Sequence, residues 1–441
     1  MSVQALEAQI SAVSKDVERQ KEVLKKLERS RSLLQRQLND IRDPITRLPL
    51  EISSEIFLRC LCLDRASPEY RRTGIDDIPI ILLQICHAWT EIALSTTALW
   101  STLHIVLLRS LGFSPVFERW LERARNQPLE LRVTINAEAA DDDEGLGAFE
   151  DDITALIQAR FGRLKSLDIE LGGQYSSTLG IHFGVTEMFP LLRTLKICGL
   201  SRLECPSSSL IELLRHSPNL VELSIQDMNL LPNATGALVF QHLRRLDLVL
   251  NPWNPESDDH ILACITAPGL ESLELGNMHM VLAQLVPFLE RSSPPLQKLS
   301  IDFLQMKLGG WPVDSELLVG ILDICPTATQ LEISCPYSDA IAQLSAILAR
   351  SDSSKILPNL QILEFLMPQG TFPDSYWDML LPVILARRTT LRTLRIRSYV
   401  WNPKSVLLDS FVSPVVLPAL KELEAGGMSV WIGKDKNLFP S

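Results

Sequence analysis

The sequence predicts an α/β chain in three parts: an N-terminal coiled-coil helix, a small all-α module, and a solenoid of strand-and-helix repeats with a parallel inner sheet. Three observations carry that expectation. A phrase Leu-x-x-Leu-x-(Leu/Ile) recurs ten times, starting at Leu164, Leu192, Leu220, Leu243, Leu270, Leu296, Ala328, Leu360, Leu391 and Leu420, at spacings of 23 to 32 residues. Self-similarity at such a period marks stacked supersecondary units that bury their apolar faces against one another. The first 42 residues carry apolar side chains at alternating steps of four and three, and between rod and repeats lies a short stretch dense in large apolar residues at helical spacing. The expected boundaries are 1–42 for the rod, 44–105 for the module, 106–163 for a linker and repeat cap, and 164–441 for the solenoid.

The rod runs through Leu6, Ile10, Val13, Val17, Leu24, Leu27, Leu34, Leu38 and Ile41, with Gln20 and Arg31 where the rhythm calls for apolar residues. A 3.5-residue period keeps the stripe facing a partner helix, and isolated polar seam positions can fix register. At 1.5 Å per residue the rod is about 60 Å long. A homodimer through residues 1–42 is the preferred reading. The alternatives are an antiparallel return onto the next segment and a helix that frays alone. Asp43-Pro44 closes the rod, because Pro breaks a helix interior and restricts the residue before it.

Beyond it, Pro49 suits the first turn of a helix, and Leu48, Ile52, Ile56 and Phe57 fall on one side of it. A polar link over 64–77 leads to the apolar run Ile78 to Cys86, then Trp89, Ile92 and the Leu99-Trp100 pair. So many large apolar side chains in about sixty residues predict that part of the surface is covered by a partner.

The opening Leu48-Pro49-x-Glu51-Ile52-x-x-Glu55-Ile56-Phe57, the centre Ile85-Cys86-x-x-Trp89-x-x-Ile92-Ala93 and the close Leu99-Trp100 resemble the F-box of fungal F-box proteins. The resemblance covers roughly residues 44 to 105. His87-Ala88 stands where basic residues are common in that family, and the 64–77 link is long. The resemblance implies docking on a Skp-type adaptor, and through it on a cullin-RING ubiquitin ligase. Carried over by position, Leu48, Pro49, Ile52, Ile56, Phe57, Leu61 and Trp89 are the adaptor-binding set. For Trp89, core packing and contact are equally open, since a large aromatic serves either purpose.

Between 106 and 163, Phe113 to Ala124 reads as an amphipathic helix and Pro128 to Ile135 as an alternating strand, together an N-terminal cap for the array. Glu138 to Asp152 holds eight acidic residues and no Lys or Arg, which predicts a solvated loop.

Within each repeat the first, fourth and sixth positions are apolar and the last three alternate, as in Leu243-Arg244-Arg245-Leu246-Asp247-Leu248, which is a strand with one buried face. Helical stretches are expected at 209–216, 260–266, 281–291, 315–324, 340–350 and 376–386, often with a Pro before the next strand to end them. This alternation resembles a leucine-rich-repeat solenoid. At the ninth position, where Asn or Cys is usual, three units carry Leu200, Met228 and Met278 instead, so no continuous Asn ladder is expected.

The fifth positions should line the concave face: Asp168, Lys196, Ser224, Asp247, Glu274, Ser300, Glu332, Glu364, Arg395 and Glu424. Acid dominates the middle, and Arg392, Arg395 and Arg397 form a basic stripe near the end. The expected substrate-binding set is Asp247, Glu274, Glu332, Glu364, Arg392, Arg395, Arg397 and Trp401. Trp253, Tyr337 and Tyr399 sit on neighbouring loops and are expected to pack over the sheet edge.

Composition agrees with a folded, water-soluble protein: 46% of residues are hydrophobic and 22% charged. The net charge of −11 argues against a general nucleic-acid binder. The longest apolar runs fall short of the roughly 18 residues a membrane span needs, and no leader is visible, so a cytoplasmic or nuclear location is expected. Eight cysteines lack zinc spacing and seven histidines stand apart. No phosphate-cradling, nucleophile-elbow or metal-protease motif is present, so no enzyme activity, cofactor or metal is expected. The expected function is that of a non-catalytic substrate receptor of a Skp-cullin-F-box ubiquitin ligase. The alternative is a repeat interaction scaffold outside ubiquitin transfer.

Overall fold

The computed structural model describes residues 3–64, 77–107, 115–136, 161–172, 179–180, 188–231, 237–249, 261–276, 278–303, 315–334, 338–349, 356–367, 372, 374–398, 412 and 414–433. The chain divides into two compact units, residues 1–104 with 113–127, and residues 105–112 with 128–441.

In the first unit, α1 (Val3–Arg42) is an unbroken helix of 40 residues. It ends where Asp43-Pro44 requires: the Asp43 carboxylate accepts from the Ile45 amide at 2.9 Å and caps the 3-10 turn Pro44–Arg47. Then follow α2 (Leu50–Asp64), α3 (Asp77–Ile85), α4 (His87–Ser95), a 3-10 turn at Thr97–Trp100, and α5 (Pro115–Ala124). The core is aromatic. Trp100 and Trp120 meet edge to face at 4.8 Å between ring centroids, and Arg123 lies over the Trp100 ring. The indole N–H of Trp100 donates to the Ala93 carbonyl at 2.8 Å and that of Trp120 to the Trp100 carbonyl at 2.9 Å, so neither is buried unsatisfied.

Those contacts correct one expectation. The sequence places the helix at 113–124 in the repeat cap, yet the apolar face of α5, through Trp120 and Leu121, is buried in the first unit. A second difference lies just before it, where Thr102–Leu107 forms a strand, β1, although the sequence places its start in the all-α module.

The second unit is a strand-and-helix solenoid. After β1 come β2 (Leu129–Asn136), β3 (Leu164–Gly172), β4 (Leu179–Gly180), β5 (Thr194–Pro206), β6 (Glu222–Leu231), β7 (Leu238–Val239), β8 (Arg245–Val249), β9 (Ile265–Thr266), β10 (Ser272–Gly276), β11 (Lys298–Asp302), β12 (Gln330–Ser334), β13 (Ile362–Met367), β14 (Thr393–Ser398) and β15 (Ser429–Gly433). All but β7 and β9, which pair with each other, join one 13-stranded sheet that follows chain order, with β4 alongside β5. From β2 onward the registers are parallel. Helices return the chain between strands: α6 (Ser207–Arg215), α7 (Ile261–Cys264), α8 (Met278–Ser292), α9 (Ser315–Ile324), α10 (Ser338–Ala349), α11 (Asp374–Ala386) and α12 (Leu417–Ala425).

Register follows the leucines. Leu167, Leu195, Leu223, Leu246, Leu273, Leu299, Leu331, Leu363, Leu394 and Val430 lie side by side across ten strands, and all are buried. A slip of one residue would turn this row to solvent, which is why the register is specified so tightly. Successive repeats are also tied by a backbone ladder at the second position, from Arg193 N to Lys165 O at 2.8 Å through to Ser429 N to Arg392 O at 2.8 Å. Asparagine contributes elsewhere than the ninth position: the Asn219 and Asn359 amides donate to the carbonyls of Pro190 and Pro326 in the preceding repeat.

The tenth repeat departs from expectation. Leu420 to Ala425 is helical, within α12, and the last strand lies further on at 429–433. Leu420 and Leu423 are buried in either conformation because a spacing of three suits a helix face as well as a repeat. Pro418 in the first turn and the strong helix formers after it favour the helix. Gly427, at φ 95°, supplies the left-handed residue that ends it. Glu424 is therefore not a sheet position.

Gly276 leaves no room for a side chain against β8, since a Cβ there would lie 2.7 Å from Val249 Cγ1. Gly276→Ala is expected to destabilise the second unit by about 1–3 kcal/mol through overpacking. Adding Val249→Ala should recover part of that loss in urea denaturation.

Candidate functional site

The face of the sheet opposite the buried leucines carries one row of side chains across eleven strands. In register it reads Arg132, Asp168, Lys196, Ser224, Asp247, Glu274, Ser300, Glu332, Glu364, Arg395 and Trp431. The fifth positions thus come together as the alternation requires, with Trp431 in the place assigned to Glu424. Its signal was the alternating Ser-Val-Trp-Ile-Gly segment, which the Leu-x-x-Leu count passed over.

The row is divided electrostatically. At its start Arg132 lies between Asp168, at 3.6 Å, and Glu170. In the middle Asp247 accepts from Ser224 Oγ at 2.7 Å and Gln226 Nε2 at 2.6 Å, both on Oδ2. Its Oδ1 has no hydrogen-bond partner among the described residues. Glu274, beside it, has its carboxyl pushed above the ordinary range by partial desolvation first and then by the negative charges of Asp247, Glu332 and Asp302, against which Lys298 acts. Glu332 is neutralised by Lys298 at 2.7 Å.

Toward the end of the row, Glu364 is only 2% exposed and is held by Arg397 at 2.9 Å and Arg395 at 3.6 Å. Two guanidinium groups around one carboxylate leave a net positive charge there, beside Trp431. Of the expected substrate-binding set, Asp247, Glu274, Glu332, Glu364 and Arg395 lie in this row, and Arg397 lies two residues on along the same strand face. Arg392 is exposed but precedes the strand and does not join them. Trp401, with Trp253, Tyr337 and Tyr399, lies outside the described residues, as does the acidic segment 138–152.

The expected adaptor-binding set divides by burial. Leu48, Pro49, Ile52 and Ile56 are exposed, Ile52 at 50%. Phe57 is 1% exposed and belongs to the core of its own unit, because its position on α2 turns it inward beside the buried Ser53. Leu61 is partly buried. Trp89 is partly buried too, with its ring 5.0 Å from that of Phe57 and its N–H donating to Asp43, so it braces the junction where the rod ends. Ile81 and Ile85, an i,i+4 pair on α3, are exposed apolar residues outside that set, although Ile85 opens the motif's centre. The apolar run from 78 to 86 was their signal.

Among the described residues no group of His, Cys, Asp and Glu is placed to hold a metal ion. The described cysteines are free thiols, and burial pushes Cys325 up to about 12. No described helix is long and apolar enough to cross a membrane.

No family model and no curated protein matches the chain. Among solved structures, a chain of the crystal structure of the TLR13-ssRNA13 complex is similar at 15% identity and a TM-score of 0.35, over 69% of this chain and 41% of that one. This chain therefore spans less than half the length of that relative.

Because the folded-state carboxyl of Glu274 is raised, its ionised form is a penalty above that value and absent below the ordinary carboxylate range. Glu274→Gln should raise the denaturation midpoint at neutral pH and leave it unchanged near pH ~3, where both side chains are neutral.

Proposed function

We propose that this chain is a non-catalytic substrate receptor of a Skp-cullin-F-box ubiquitin ligase. The segment 44–105 docks on a Skp-type adaptor, and the open sheet face receives the protein to be modified. The single observation that carries the reading is the combination of a complete aromatic core with uncovered aliphatic side chains in one small module. Trp100, Trp120 and Phe57 are already buried there, while Leu48, Ile52, Ile56, Ile81 and Ile85 are not needed to fill that core and face solvent. Aliphatic residues left over after a core is filled mark an interaction surface. The Leu48-Pro49 and Cys86-x-x-Trp89 elements supply its resemblance to an adaptor-binding module.

The repeat face supports the second half. It offers a long row of charged and polar side chains, acidic around Asp247 and Glu274 and basic around Arg395 and Arg397, which selects partners by complementary charge. Ubiquitin chemistry would reside in the other subunits.

Co-purification tests the assignment. The intact chain should recover the Skp-type adaptor, and Pro49→Ala combined with Ile52→Glu should reduce recovery at least about ten-fold, since a charge in an apolar contact costs more than 1.4 kcal/mol. Both positions are exposed, so the variant should keep its helical circular dichroism. Equal recovery of both proteins would leave the repeat scaffold outside ubiquitin transfer as the function.

A further inference from the structure

Every described side chain of α1 from Val3 to Leu38 is exposed. The helix is 40 residues long, about 60 Å, and no other described segment of the chain covers its apolar stripe. That excludes the antiparallel return of the chain onto itself for the described residues. A single helix has no reason to keep a seam at alternating steps of three and four unless a second helix follows it, because a lone surface helix drifts toward a 3.6-residue pattern.

We infer that α1 is one strand of a parallel, in-register, two-stranded coiled coil, and that its occupant is α1 of a second copy of this chain. The phase of the seam follows from the spacing. Val3, Ile10, Val17 and Arg31 fall on the a positions, and Leu6, Gln20, Leu27 and Leu34 on the d positions. Three features select the occupant and its direction.

The flanking charges are self-complementary. In a parallel pair Asp16 faces Lys21 of the second copy, twice by symmetry, and no like charges meet across the other flanking positions. In the single chain these side chains settle on exposed neighbours of their own helix, Asp16 with Arg19 at 3.1 Å and Lys21 with Glu18 at 2.8 Å, both weak pairs that can be exchanged.

The polar seam positions give direction. A parallel register sets Gln20 against Gln20, where two amides can satisfy each other, whereas an antiparallel pair in full overlap sets Gln20 against Leu24 and leaves the amide opposite a hydrocarbon. Arg31 sets the number of strands. Two helices leave the side of an a position open, so its guanidinium reaches water along its own aliphatic stem, and a third helix would close that exit.

Sedimentation equilibrium of the full chain tests this. The expected mass is twice the 49.4 kDa of one chain, and a single-chain mass or one above two chains overturns the proposal. Leu27→Asp with Leu34→Asp changes only exposed positions and should give a folded single chain by circular dichroism and sedimentation; a persistent double mass would place the contact elsewhere and overturn it. Arg31→Leu should tighten association about ten-fold and allow larger assemblies, and unchanged or weaker association counts against Arg31 in the seam. Mixing chains labelled at the N-terminus with donor or acceptor should give strong energy transfer; a double mass without transfer overturns the parallel direction. None of these readouts involves the adaptor, so they stand or fall separately from the receptor assignment.

Discussion

The leucine row of the sheet is the constraint on which the second unit depends. One repeat cannot bury its strand by itself: Leu246 and Leu248 are buried with strands on both sides that set Leu223 and Leu273 beside Leu246. Each repeat is therefore a poor folding unit and a good neighbour, and stability is shared along the array. The backbone ladder at the second position adds direction to this apolar contact, since a hydrogen bond from each repeat to the one before fixes the step between them.

Burying one face releases the other. Because successive side chains of a strand point to opposite sides, the fixed leucine row makes a fixed polar row inevitable, and its members become neighbours although 23 to 36 residues separate them in the chain. Charges in such a row must be managed. Arg132, Lys298, Arg395 and Arg397 each sit within reach of a carboxylate, while Glu274 is left among acids and its carboxyl is lifted by them.

The first unit solves a different problem. Its core is small and aromatic, closed by Trp100, Trp120 and Phe57, and the tryptophan N–H groups are satisfied by backbone carbonyls. Aliphatic residues that this core does not need remain outside on α2 and α3, and a whole apolar stripe remains outside on α1. The described core of the unit is thus filled while these apolar side chains stay exposed.

The sequence by itself determined the periodic parts: the rod and its end at Asp43-Pro44, the strand phase of nine repeats, and the five larger helices between them to within about three residues. Local period and turn chemistry decide those, and both are written in neighbouring residues. Only the tertiary structure decided that Phe57 points inward, that Trp120 belongs with Trp100 rather than with the repeat cap, that Glu364 is enclosed by two arginines, and that Leu420 begins no strand. Each of these depends on which distant element arrives to cover a side chain, and a spacing of three that serves a helix and a repeat equally carries no information about that choice.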